Sequence, residues 1–524
     1  MRTRASTQST ELDAYLVTSY DEHMSDHLME SDERLKFLTG FTGTTGEAVV
    51  TTKSAALWVD ARFYEQADFE LNCDWRIFRS GEHPTISEWV VTELSPESRL
   101  GADPQLVPHS LWVSLERQLN SDYIKLIKIH RNLVDLVWGS RRPAPKLNSI
   151  KVQPLRFAGE HWEVKVNKLR SNLTAMRCDA MIVTSLTEVA YILNLRGSDI
   201  PYTPVFPLCH TICMRPLKFL YGSSHFAEPP SPLKAIKEYQ DVLRDLRTLS
   251  QHWKRVLVPS AVVFDMGASE AIHSVLPREQ VLDRPSPIIF LRAQKNEVEQ
   301  QGMIKAHIRD GAAMCEVLSY LEERFIAGDH FTELSLAREV DRSRKIQDLS
   351  EGPSFKTIVA FGAHSAIPHY TPSNRTDFEI TEYGTLLIDS GGQYQDGTTD
   401  VSRTIHLGEP HPDQIRAYTN VLIGMIRLSV LTFPENLKPA ELDALARGPI
   451  KWMNDYNARI RQLVGDELKR KQKMEAFYWM MNKTRNIPEY RSEADYGAAG
   501  SVSLNFRVVA LVLATIITNI LFIG

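Results

Sequence analysis

The sequence predicts a multidomain α/β protein, and three observations carry that expectation. At 524 residues the chain is several times longer than one hydrophobic core organises. Two proline-marked joints, Arg141-Arg142-Pro143-Ala144-Pro145-Lys146 and Arg284-Pro285-Ser286-Pro287, cut it into three blocks. Within the blocks, short apolar strand patterns alternate with amphipathic helical ones. Apolar residues at 43%, charged at 24% and aromatic at 9% exclude a mainly disordered, collagen-like or polytopic membrane chain. Lys plus Arg at 60 against Asp plus Glu at 65 leaves a net charge of -5, so no nucleic-acid partner is expected.

In the first block, 1–145, Ala48-Val49-Val50-Thr51-Thr52 and Ala55-Ala56-Leu57-Trp58-Val59-Asp60 read as paired strands around a turn at Lys53-Ser54. In the second, 146–287, Ala180-Met181-Ile182-Val183-Thr184 reads as a buried strand and 188–195 as a short helix. The two blocks are loosely similar, which leaves open both a repeated α/β unit and a chance match. The third, 288–450, opens on a helix: Asn296 with Glu299 resembles a capping box. Ile304, Ile308, Ala312, Cys315, Leu318 and Phe325 recur along that helix as an expected packing face. Strands follow at 357–361, 385–389 and 399–405, the last two bracketing the turn Tyr394-Gln395-Asp396-Gly397.

Asp389 and Asp400 lie symmetrically about a point between Tyr394 and Gln395, so an antiparallel hairpin centred there sets them opposite each other. Directly opposed residues have Cβ atoms ~4.5–5.5 Å apart, where like charges repel. One divalent cation, or two held ~3.5–4 Å apart, would offset that repulsion and generate a hydroxide nucleophile. The alternative is structural, with a bulge turning one Asp to solvent or one capping a turn. His369 lies in the loop before the hairpin, near His364. Asp389-Ser390-Gly391 also matches the Asp-Ser/Thr-Gly signature of aspartic proteases, but no second copy occurs. Cys73, Cys178, Cys209, Cys213 and Cys315 are too few and scattered for a disulfide scaffold. Cys209-His210-Thr211-Ile212-Cys213 lacks a second Cys/His cluster at zinc spacing and reads as buried thiols.

The run 386–407, LLIDSGGQYQDGTTDVSRTIHL, closely resembles the first metal-binding strand pair of the Xaa-Pro aminopeptidases. Further similar segments occur in order at 37–43, 55–63, 193–201 and 305–311, so the resemblance covers about 20–450. It implies two creatinase-like N-terminal α/β domains before a pita-bread (α+β) metallopeptidase domain, with Asp389 and Asp400 as metal ligands and His369 as the substrate-facing histidine. It also implies Mn²⁺ or Zn²⁺, two ions in the complete site, and peptides with proline second as substrates. Three further family ligands are expected after Asp400: a histidine in a glycine-rich stretch, a glutamate before Pro-Gly and a glutamate before Asn. His411 is the last histidine, and Glu409-Pro410-His411 and Pro434-Glu435-Asn436 come too early. Residues 442–450 resemble the family segment before the missing ligands, and 451–457 resemble its C-terminal helix. The pita-bread domain is therefore expected to be truncated at Ile450–Lys451, with 451–493 a helical segment. Activity is then expected to be impaired; the alternative is a noncatalytic module for homodimerisation or binding.

The first ten residues, MRTRASTQST, contain no apolar stretch resembling a secretory signal. At the other end, 508–524 (VVALVLATIITNILFIG) is uncharged and, at ~1.5 Å per residue, slightly short of a ~30 Å bilayer core. Small residues from Gly497 to Ser501 and a spacer through Arg507 precede it. Within 494–524 this is the pattern of a GPI-attachment signal, with Gly497 and Ala498 as attachment candidates. A retained tail anchor and a buried helix are the alternatives. GPI attachment requires entry to the secretory pathway, which the sequons at Asn172, Asn374 and Asn482 permit.

Overall fold

The computed structural model describes residues 11–80, 84–213, 219–222, 236–237, 241–262, 265–430, 432 and 451–484. Gly497, Ala498, the whole 494–524 tail and Ile450 lie outside the described residues. The chain divides into two units, 1–293 and 294–524.

In the first unit, β1 (Ala14–Thr18), β2 (Glu47–Thr51), β3 (Ala55–Val59), β4 (Trp75–Arg79), β5 (Arg99–Ala102) and β6 (Lys125–Lys128) form one sheet in the order β4-β3-β2-β1-β5-β6. The β2–β3 turn is the expected one: the Thr51 hydroxyl accepts from the amides of Lys53 and Ser54, closing it locally. Successive strand residues point to opposite faces. Leu16, Val49, Ala56 and Trp58 therefore pack with Trp89 and Trp112 on one side. Tyr15, Val17, Ala48 and Leu57 pack with Phe41 and Phe63 on the other.

After a short ribbon of β7 (Lys151–Val152) with β9 (Leu195–Arg196), a second sheet uses β8 (Ala180–Val183), β10 (Leu208–Cys213), β11 (Phe219–Gly222), β12 (Ile236–Lys237), β13 (Val256–Pro259) and β14 (Val281–Arg284). Its order is β12-β11-β10-β8-β13-β14. β10 runs antiparallel to both neighbours and every other pair is parallel, as for β2 in the first sheet. The two sheets are one topology used twice, which settles the question the loose similarity left open.

One expectation needs correction here. The helix expected at 188–195 spans Leu186–Ile192: Asn194 takes φ 53, a left-handed conformation that asparagine tolerates, just before the ribbon strand β9. The Pro285–Pro287 joint is internal to the first unit: β14 ends at Arg284, and Pro287 opens a helix, Pro287–Ala293, at the position where a missing N–H costs nothing.

The second unit is built on the helix Glu297–Ile326, whose Asn296–Glu299 capping box forms as expected. Of the expected packing face, Ala312, Cys315 and Leu318 are buried, and Ile304 at its start is not. Ile304 is 46% exposed, while Arg309 and Asp310 are buried, each neutralised by a partner distant in sequence. Met314, Val317, Leu318 and Leu321 pack with Leu336 and Val340 of the helix Glu333–Lys345 and with Val359, Leu386 and Ile388 of the sheet. Ala312 and Cys315 pack with Val464, Leu468, Phe477 and Met480 of the helices Lys451–Arg470 and Met474–Lys483. The strands are β15 (Phe331–Thr332) with β18 (Glu379–Ile380), β16 (Ser350–Pro353) with β20 (Gly392–Tyr394), and an antiparallel sheet β17-β19-β21 of Ile358–Phe361, Thr385–Ser390 and Val401–His406. The helix Pro412–Ser429 follows. Among the described residues no helix is long and apolar enough to cross a membrane.

Candidate metal centre

The hairpin that carries both aspartates closes one residue later than expected. Tyr394 and Gly397 exchange backbone bonds of 2.8 and 3.4 Å, so Gln395 and Asp396 form the loop. Moving the loop by one residue moves the register by two. Asp389 consequently stands opposite Ser402, which donates to its Oδ1 at 2.8 Å, and not opposite Asp400. Asp400 lies just before β21, two residues before Ser402, near enough for the Asp389 charge to act on it.

A close backbone approach fixes the segment between the two aspartates. After Ser390 the strand leaves β21 and continues as β20 against β16. The crossing point is Gly391, where any Cβ would be driven into the Thr399 carbonyl and the Ser354 hydroxyl. Ser354 donates to Thr399 O at 2.7 Å, and Gly392 N donates to the Thr399 hydroxyl at 2.9 Å, pinning the residue before Asp400. Gly391→Ala is expected to cost about 1–3 kcal/mol as an overpacking change, read as a lowered denaturation midpoint.

Burial raises the Asp389 carboxyl above its ordinary range, opposed by the Ser402 hydrogen bond and by the charges of His369 and Arg344. Desolvation and then the Asp389 charge push Asp400 up to about 6, although the residue is exposed. An acid whose folded pKa exceeds its unfolded value of 3.8 favours folding most below that value and loses the contribution as pH rises to about 6. Asp400→Asn should therefore remove a decline in thermal midpoint between pH 4 and pH 6; solvent screening keeps the effect modest.

His369 is exposed on the 362–378 loop, close enough for its charge to act on Asp389. His364 is committed elsewhere: its Nδ1 lies 2.9 Å from Glu333, and its ring stacks on Tyr370 and Phe378. His406 sits at the far end of β21, its Nδ1 accepting from Gly408 N at 3.1 Å. Neither joins the aspartates. Among the described residues no group of three or more His, Cys, Asp or Glu is placed to hold a metal ion.

Beneath the pair lies a buried charge network that sequence reading missed. Arg344 donates to both Asp310 oxygens at 2.7 and 2.9 Å and to Ser390 O at 3.4 Å. The Tyr394 hydroxyl donates to Asp310 at 3.0 Å. Nothing in the spacing of Asp310 and Arg344, on separate helices, signals this contact.

Two profiles of the Creatinase/Prolidase N-terminal domain match residues 1–136 and 141–299, and that of Metallopeptidase family M24 matches 301–475. The chain is 35% identical over 457 residues to Xaa-Pro aminopeptidase 2 of Homo sapiens, covering 85% of this chain and 67% of that protein. It is 35% identical over 447 residues to Xaa-Pro aminopeptidase ApepP of Drosophila melanogaster, covering 83% and 72%. The chain belongs to the Xaa-Pro aminopeptidases of family M24. The solved structure of the X-prolyl aminopeptidase of Caenorhabditis elegans, described as a cytosolic enzyme with a di-nuclear active site, aligns with a TM-score of 0.84 at 27% identity, covering 92% of this chain and 96% of that one. The architecture of this Xaa-Pro aminopeptidase family member is thus two creatinase-type N-terminal domains and an M24 pita-bread domain. Family M24 implies a divalent metal. Among the described residues Asp389 and Asp400 are not joined by a third His, Cys, Asp or Glu placed to hold such an ion.

Proposed function

We propose that this chain carries the His369 side and the first two metal ligands of an Xaa-Pro aminopeptidase site, and holds Mn²⁺ or Zn²⁺ too weakly for family-level turnover. The observation behind this reading is the carboxylate pair: the Asp389 charge acts on Asp400, no third ligand joins them among the described residues, and the sequence has no histidine after His411. In this reading 288–450 is the first half of the catalytic domain, joined at Ile450–Lys451 to its closing helices. Sequencing the transcript across the Ile450 and Lys451 codons tests the junction itself.

In this reading His369, which is exposed and whose charge acts on Asp389, contacts the bound peptide, and Ser402 orients the Asp389 carboxylate. A bound divalent ion would supply charge stabilisation and an activated water. Two carboxylates give an expected dissociation constant of roughly 10⁻⁴–10⁻³ M, the weak end of oxygen-ligand sites. Isothermal titration of the full chain with Mn²⁺ at pH 7.5 measures it. Binding tighter than micromolar with two ions per chain would contradict the reading.

For localisation we propose attachment through the 494–524 tail by a GPI anchor at Gly497 or Ala498, on the sequence pattern alone. Expressed behind a secretory signal, the protein should leave membranes on phosphatidylinositol-specific phospholipase treatment. Retention would favour a tail anchor.

A further inference from the structure

Glu333 is fully buried, stands at the start of the helix Glu333–Lys345, and is not one of the aspartates. Its carboxyl collects donors from both ends and the middle of the segment that carries His369. Oε1 accepts from Phe361 N at 2.6 Å and His364 Nδ1 at 2.9 Å. Oε2 accepts from the Tyr370 hydroxyl at 2.6 Å and Phe378 N at 3.1 Å. Phe361 ends β17, and Phe378 immediately precedes β18, so one carboxyl closes the loop at its base. The Tyr370 hydroxyl also reaches Thr376 O at 2.8 Å, and the His364 ring stacks on Tyr370 and Phe378 with centroids at 4.2 and 3.9 Å.

His369 is the residue before Tyr370, in a stretch with no strand ladder of its own. Fixing each backbone residue of such a loop costs about 1–2 kcal/mol of conformational entropy, and exposed His369 brings little packing to offset it. Buried Glu333, in turn, would cost several kcal/mol if its donors were removed. The anchor and the loop therefore require each other.

We propose that Glu333 is the positioning residue for His369: it sets the height and direction of the loop so that the imidazole stands beside Asp389. This rests on reading His369 as the substrate-facing histidine; Glu333 itself touches neither substrate nor metal.

The test uses the full chain without metal or peptide, by hydrogen exchange and mass spectrometry of backbone amides in 362–378 and of the His369 imidazole C2–H. The variants are Glu333→Ala, Glu333→Gln and Tyr370→Phe. Leu336→Ala, a fully buried apolar residue on the same helix, supplies a loss of stability that leaves all four bonds in place. Glu333→Ala is expected to speed loop amide exchange at least 10-fold and to change His369 imidazole exchange, with 14–18 and 297–326 unaffected. Glu333→Gln keeps one acceptor oxygen and should retain protection at Phe361 while losing it at Phe378. Tyr370→Phe should loosen 369–371 alone, and it reads the proposal if Glu333→Ala does not fold. Unchanged His369 exchange in the glutamate and tyrosine variants, or an equal change in Leu336→Ala, would overturn the positioning role. The reading beneath it fails separately, if His369→Ala binds an Xaa-Pro dipeptide as tightly as the parent chain.

Discussion

Replacing Arg344 by methionine is expected to destabilise the second unit by about 3–5 kcal/mol, the usual cost of stranding one partner of a buried ion pair. Arg344 is 2% exposed and Asp310 1%, so the loss leaves a carboxylate with only the Tyr394 and Thr399 hydroxyls for support. Domains are stable by about 5–15 kcal/mol, so the variant approaches unfolding at room temperature. The pH dependence changes sign with it. Burial works to raise Asp310, yet the Arg344 charge and hydrogen bonds hold it below its ordinary 3.8. In the parent chain that stabilisation is present above about pH 4 and is lost as pH falls through the depressed pKa. Without the guanidinium, burial dominates, and the variant should be least handicapped in acid. Urea titrations at pH 5 and 7 measure both effects. Asp310→Leu combined with Arg344→Met should recover most of the loss, because the desolvation cost disappears with the pair.

The same residues show what the sequence allowed and what it hid. The β2–β3 hairpin and the Asn296 cap were legible because each is closed by bonds spanning a few residues. The hairpin of 386–407 was legible as a hairpin, but its register hung on which two residues form the loop. Choosing Tyr394-Gln395 over Gln395-Asp396 sets Asp389 opposite Asp400 when its partner is Ser402. The face of the helix Glu297–Ile326 was legible at Ala312, Cys315 and Leu318, but not its buried charges, because Arg309 and Asp310 read as solvent-facing until Asp396 and Arg344 are known to meet them. Glu333 looks like an ordinary first-turn acid; its four donors lie 28 to 45 positions away. The repeated sheet was only hinted at, since the topology demands alternation of apolar residues and not their identity.

Loss of turnover is the other large expected effect. Activating water at neutral pH requires ions held closely by several ligands, and two carboxylates leave a hard cation mostly to solvent. With each 1.36 kcal/mol of transition-state stabilisation worth tenfold in rate, losing a metal-activated nucleophile predicts a rate lower by several orders of magnitude. The direct comparison is release of the N-terminal residue from an Xaa-Pro peptide, with added Mn²⁺ or Zn²⁺, by the full chain and by a chimera carrying a relative's segment between Ile450 and Lys451. The expected result is near-background turnover by the unmodified chain and chelator-sensitive turnover by the chimera. Robust, chelator-sensitive, proline-specific turnover by the unmodified chain, abolished by Asp400→Ala, would contradict it.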